Sequence, residues 1–316
     1  LVFVITYGSS ADFVYGGVLH EHIAGGSRDM LLLMYVLAYF GFGVKAALFP
    51  CHGWLPSASV APTPVTALLH AVAVVKSGAF AILRLTYFSY GTEFLKGTWA
   101  QNLVMAEAKV TFLYGSTKAV KEVHFKRRLV YSTISNLSYI LLAASMMTPL
   151  GLVAALCHLV FHAFMKICGF FSAGAVLTAS GRQYVYELDG IGRKMPVTFA
   201  CFTVTALSLT GIPLFAGFVS KWKIAQAAFG VGTALSFGAA AVLLYSALMT
   251  GIYMMTVVFR AWFPERGTDA GASGDVREAG WMMLVPLVVF ALIIVGFGFG
   301  SAPFTEYFEQ IAGGVI

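Results

Sequence analysis

A succession of apolar stretches, each near the length of a membrane-crossing helix, constrains this chain more than any other feature. About 20 helical residues at about 1.5 Å rise cross about 30 Å of hydrocarbon. Read between polar and Gly/Pro breaks, the chain gives a tail ending near Tyr7. Spans follow at 30–49, 63–87, 99–117, 129–147, 150–179, 197–228, 234–260 and 281–300. The dyad alternation of a transmembrane barrel is absent. Charged residues make up 11% of the chain and hydrophobic ones 59%; a soluble domain carries about 25% charged residues. The expected fold is all-α and polytopic, with about eight complete transmembrane helices, part of another, and several broken helices. One transmembrane domain over 1–316 is expected, with the lipid bilayer as a partner. Residue 1 is Leu, inside the apolar run Leu1 to Tyr7, so an upstream part is expected to be missing.

Alternating the spans places the loops 50–62, 118–128, 180–196 and 261–280 on one side. That side carries Lys118, Lys121, Lys126, Arg127, Arg128, Arg182, Arg193, Lys194, Arg260, Arg266 and Arg277, against Arg28 and Lys96 opposite. The asymmetry follows the positive-inside rule and makes the basic side cytoplasmic. Lys126-Arg127-Arg128 therefore reads first as a topology signal, and the net charge of +6 is no footprint of nucleic acid. The expected location is the bacterial or archaeal cytoplasmic membrane.

The remaining basic residues, Lys45, Lys76, Arg84, Lys109, Lys166, Lys221 and Lys223, fall within spans, as does one acid, Glu107. Each mid-span Lys costs about 2.5–3.5 kcal/mol on insertion scales, so packing alone does not favour the pattern. Arg84 and Lys223 lie near span ends and read as interfacial anchors. Lys45, in the cytoplasmic third of its span, also has a snorkelling reading. Lys76 and Lys166 are too central for that. Lysine can exchange its proton in a low-dielectric setting at about 1.36 kcal/mol per pKa unit; arginine cannot. His158, His162 and Lys166 recur every four residues, forming one stripe about 12 Å long on a single helix. Histidine titrates nearest physiological pH. His70 stands six residues before Lys76, on a different face of an ideal helix, and a local break would bring the two together.

Two spans read as broken. Pro62 and Pro64 stand at the start of one; Gly211, Pro213 and Gly217 interrupt another. Such breaks are tolerated at membrane depth where they pack in protein or line a wet cavity. Cys51, Cys157, Cys168 and Cys201 form no CxxC pair, and Cys157 beside His158 reads as a small core residue. No metal site, dinucleotide fingerprint, P-loop, iron–sulfur spacing or haem motif is present, so no cofactor is expected in this chain.

Five blocks carry a resemblance. They are Phe49-Pro50-Cys51-His52-Gly53-Trp54-Leu55-Pro56 with Ala61-Pro62-Thr63-Pro64-Val65 and Leu68-Leu69-His70; Val75-Lys76-Ser77-Gly78; Lys126-Arg127-Arg128-Leu129-Val130-Tyr131-Ser132-Thr133-Ile134-Ser135-Asn136; His158-Leu159-Val160-Phe161-His162-Ala163-Phe164-Met165-Lys166; and Gly211-Ile212-Pro213 through Ala216-Gly217-Phe218-Val219-Ser220-Lys221-Trp222. In order and content they resemble the antiporter-like subunits of respiratory complex I, Mrp-type cation/proton antiporters and membrane-bound hydrogenases. Mrp D-type and complex I subunit 5-like proteins look closest. The resemblance implies a 14-helix fold with inverted repeats, other membrane subunits as partners, and protons as cargo. It makes Lys45 the lysine of a first half-channel and Lys76 the bridging lysine. His158, His162 and Lys166 become the central relay, and Lys221 the exit lysine. The family's glutamate partner of the first lysine would lie upstream. Glu107 and Lys109 match no relay position of the family.

The leading expectation is a proton-translocating subunit of an NADH:quinone oxidoreductase or hydrogenase-type complex, not a catalyst by itself. An Mrp-type Na⁺/H⁺ antiporter subunit without redox coupling is the alternative. A structural membrane anchor of such a complex is a second, and an independent solute carrier a weaker third.

Overall fold

The computed structural model describes residues 28–264 and 276–315. The apolar tail near Tyr7 and Arg266 lie outside them. Ten principal helices follow one another: α1 Arg28–Lys45, α2 Thr63–Tyr90, α3 Trp99–Lys121, α4 Phe125–Ser145, α5 Pro149–Ser180, α6 Pro196–Thr210, α7 Ala216–Val231, α8 Ala234–Trp262, α9 Trp281–Phe299 and α10 Ala302–Gly313. No strand occurs among the described residues, only an isolated bridge between His124 and Tyr184. Four helices, α2, α5, α8 and α9, are long and apolar enough to cross a membrane by themselves. The others, apart from α10, were expected as spans or parts of spans too. Here α3 carries four charged residues, and α6 and α7 are the two short halves of the expected 197–228 span.

Burial is arranged as a membrane requires. On α9 only Leu287, Ala291 and Ile294 are buried, one stripe at helical spacing, while Met282, Leu292 and Phe299 are exposed. Helix α8 turns Leu244 and Leu248 outward and Ser246, Thr250 and Tyr253 inward. Apolar outside and polar inside inverts the soluble pattern and suits a hydrocarbon solvent. At the centre stands α4, where every residue from Leu129 to Ser145 except Tyr131 is buried, surrounded by α2, α3, α5, α7 and α8. Small residues allow the approach: a Cβ on Gly115 of α3 would lie 2.7 Å from the Ser135 amide of α4.

Contacts among the loops bear out the expected parity. Phe125 N–H donates to Gln183 O, Gly190 N–H to Arg260 O, and Val197 N–H to the Glu278 carboxylate. The Lys126 ammonium donates to Ala61 O. All four basic loops thus meet at one end. Arg28 and Trp99 mark the other, where Arg28 bonds Phe94 O and the Trp99 indole bonds Asp29. Within the basic run only Arg127 is exposed, paired with Glu122 at 3.5 Å. Lys126 and Arg128 turn inward, Arg128 to Glu122 O and Tyr253 O, so two thirds of that signal also ties helices together.

The breaks need one correction. Pro62 and Pro64 do not interrupt α2; Pro62 is its N-cap and Pro64 lies in its first turn, where the missing N–H costs nothing. The irregularity comes later, in a π-helical stretch at Leu68–Val72. The second break falls where expected, between Thr210 and Ala216, with Gly211 at φ +95° and Leu214 at φ +79°. Gly217 sits just inside α7, and a Cβ there would lie 1.8 Å from Ser208 O.

Candidate functional site

Helix α5 contributes the core of the site. Thr148 caps it by accepting from the Gly151 N–H at 3.0 Å, and Gly181 in the left-handed region ends it. Along its inner stripe His158, His162 and Lys166 have no exposed surface. The two imidazoles stack at 5.6 Å and 12°. Both nitrogens of His162 lack a hydrogen-bond partner. His158 Nδ1 bonds Ser220 Oγ at 2.9 Å, while Ser220 itself donates to Gly217 O at 3.2 Å. That assigns the Nδ1 proton to His158 and leaves Nε2, also unpartnered, able to accept one.

Three lysines converge on this stripe. Lys166 Nζ donates to Leu129 O at 3.0 Å and Ser132 Oγ at 2.5 Å. Ser132 in turn accepts from the Tyr253 hydroxyl at 2.9 Å. From α2, Lys76, 5% exposed, donates to Leu159 O between the two histidines. From α7, Lys221, also 5% exposed, donates to Leu209 O at 2.5 Å and Thr210 O at 3.2 Å. Its ammonium lies 4.7 Å from the Tyr139 ring centroid, and that ring packs 5.0 Å from His158. No ion pair involves these three lysines among the described residues. Neutral oxygens and a ring face hold them, and such partners stabilise an ammonium less than a carboxylate would.

The π-helical stretch buries the His70 ring against Phe170 at 5.6 Å with both nitrogens unpartnered. Lys45 stays outside the line, exposed at the end of α1. Lys223 pairs with Glu309 of α10 at 3.5 Å, as an anchor would. No cluster of three or more His, Cys, Asp or Glu residues able to hold a metal is present among the described residues.

Sequence reading missed Ser132, Tyr139, Ser220 and Tyr253. The first two were visible in principle, since Ser132, Ser135, Asn136 and Tyr139 share one polar face of an apolar helix at helical spacing. Tyr253 carried no such signal.

Comparison with known proteins places this arrangement. Residues 3–250 match the family described as "NADH:quinone oxidoreductase/Mrp antiporter, TM". The chain is 35% identical to NADH-quinone oxidoreductase subunit N of Desulforudis audaxviator, covering 91% of this chain and 56% of that one. It is 34% identical to subunit L of Mycobacterium tuberculosis, covering 91% and 44%. It is 33% identical to F(420)H(2) dehydrogenase subunit L of Methanosarcina mazei, covering 88% and 42%. The chain thus spans about half the length of these relatives. In structure it resembles a chain of the Mrp complex from a Dietzia species, with TM-score 0.81, 24% identity, and 91% and 60% coverage. A chain of an archaeal membrane-bound sulfane sulfur reductase, a respiratory membrane complex, gives TM-score 0.79 at 26% identity over 92% and 57%. With its buried lysines and histidines on that shared fold, the chain belongs to the NADH:quinone oxidoreductase/Mrp antiporter transmembrane family.

Proposed function

We propose that this chain is part of a proton-translocating membrane subunit of a redox-driven quinone oxidoreductase or hydrogenase-type complex. One observation carries the reading: three buried lysines gather about two stacked histidines, and among the described residues no carboxylate pairs with any of the three. Groups held by neutral oxygens can load and release a proton, and unpartnered imidazole nitrogens supply landing sites between them. Lys76 and His162 link α2 to α5, and His158 passes the line to Lys221 at the second break. His70 offers Lys166 a connection toward Lys126 at the basic end, which faces the cytoplasm by the positive-inside rule. Relatives named as subunits of respiratory dehydrogenases support neighbouring membrane subunits as partners and a bacterial or archaeal cytoplasmic membrane as the setting.

The test is proton translocation by the assembled complex in proteoliposomes. Lys166→Ala and Lys76→Ala are each expected to cut the rate more than tenfold, with assembly on a native gel unchanged. Rates equal to wild type would defeat the proposal. Loss of assembly that precedes any loss of pumping would favour an anchor instead.

A further inference from the structure

Glu107 is the one acid within a described span, and the lysine and histidine line does not use it. It lies midway along α3, on the side facing α1. Its Oε1 accepts from the Thr111 hydroxyl at 2.5 Å. Thr111 Oγ1 in turn accepts the Phe49 N–H at 2.9 Å, which ties the carboxyl to the loop that follows Lys45. Glu107 Oε2 is buried and has no hydrogen-bond partner. Tyr39 of α1, 1% exposed, likewise has a buried hydroxyl without a partner.

Among the described residues no cation pairs with Glu107. Lys109, two residues on, points away and donates to Leu235 O of α8 at 3.1 Å. On α1 the Tyr35 ring lies 6.2 Å from that of Tyr39, with its hydroxyl bonded to Thr86 at 3.0 Å. On α4 the Tyr139 ring packs on Phe112 of α3 at 4.2 Å. Tyr245 of α8 bonds Thr117 at 2.9 Å. His52 and Lys118 gather around Tyr114 nearer the basic end. None of these bonds to Glu107. A carboxylate in hydrocarbon without a cation is disfavoured, whereas a neutral acid needs only a place for its O–H. The free Oε2 supplies the site of protonation.

We propose that Glu107 is a proton-binding site separate from the lysine and histidine line, with the proton on Oε2. On release, the Oε2 proton goes to water and the carboxylate left behind keeps the Thr111 hydrogen bond on Oε1. Because Thr111 also holds the Phe49 amide, the charge on Glu107 acts on the segment that positions Lys45.

pH-difference infrared spectra of the complete complex in membranes test this, since they do not depend on pumping. Wild type should show a protonated-carboxyl C=O band that disappears as pH rises, and Glu107→Gln should lack it. Thr111→Val should move its disappearance to higher pH, because the charged form loses a donor. In proteoliposomes Glu107→Gln should remove one titrating step from the pH–rate profile with normal assembly on a native gel. Spectra and profile identical to wild type in Glu107→Gln overturn the proposal. So does a Gln variant that lowers only the amount of assembled complex, which marks a packing role.

Discussion

Two irregular places in the bundle each bring a lysine toward the buried histidines, by opposite means. At Leu68–Val72 the helix widens without ending: Ala73 N–H still reaches Leu68 O at 2.9 Å, and α2 runs on to Tyr90. Lys76 therefore spends its ammonium on Leu159 O of another helix, a carbonyl that the α5 ladder already uses. At Thr210–Ala216 the helix stops. Ile212 N–H turns back to Leu207 O, and the carbonyls of Leu209 and Thr210 are left to Lys221. The first lysine is a guest on an intact helix, while the second is the cap of a broken one. Transport chemistry and stability are separable at one break and merged at the other.

Several substitutions sharpen that difference. The largest stability effect belongs to Gly217→Ala. Its Cβ would land 1.8 Å from a backbone oxygen, and overpacking against main chain costs about 3 kcal/mol, read as a lowered unfolding temperature and less assembled subunit. Next comes Lys221→Met, which orphans two carbonyls but also removes a buried charge, and so lowers stability by about 1–2 kcal/mol along with translocation. Lys76→Met should match it in lost translocation yet leave the unfolding temperature nearly unchanged; equal destabilisation by the two would erase the distinction between guest and cap. Smallest is Pro64→Ala, expected within about 0.5 kcal/mol, because that proline starts α2 rather than breaking it.

How much was legible follows the same physics. The stripe His158, His162 and Lys166 could be read directly, since four-residue spacing on a long apolar helix fixes one face. The second break was equally plain, because Gly211 and Pro213 cannot continue a helix. The first break was misplaced: prolines are loud signals, whereas a π-helical turn at Leu68–Val72 has no residue signature and arises from packing. The expected half-channel role of Lys45 gains nothing from the structure, which leaves that side chain exposed. Helix α10 went unnoticed because Ala302–Gly313 is short and amphipathic, below the length that hydropathy reading detects.

The account turns on lysines that give up and recover a proton rather than merely carry charge. Lys76→Arg separates the two most directly, since arginine keeps the charge and the reach to Leu159 O but cannot be deprotonated. Measured as proton uptake by proteoliposomes holding the assembled complex, its translocation should fall more than tenfold while the native gel is unchanged. Translocation at the wild-type rate by that arginine variant would contradict the account.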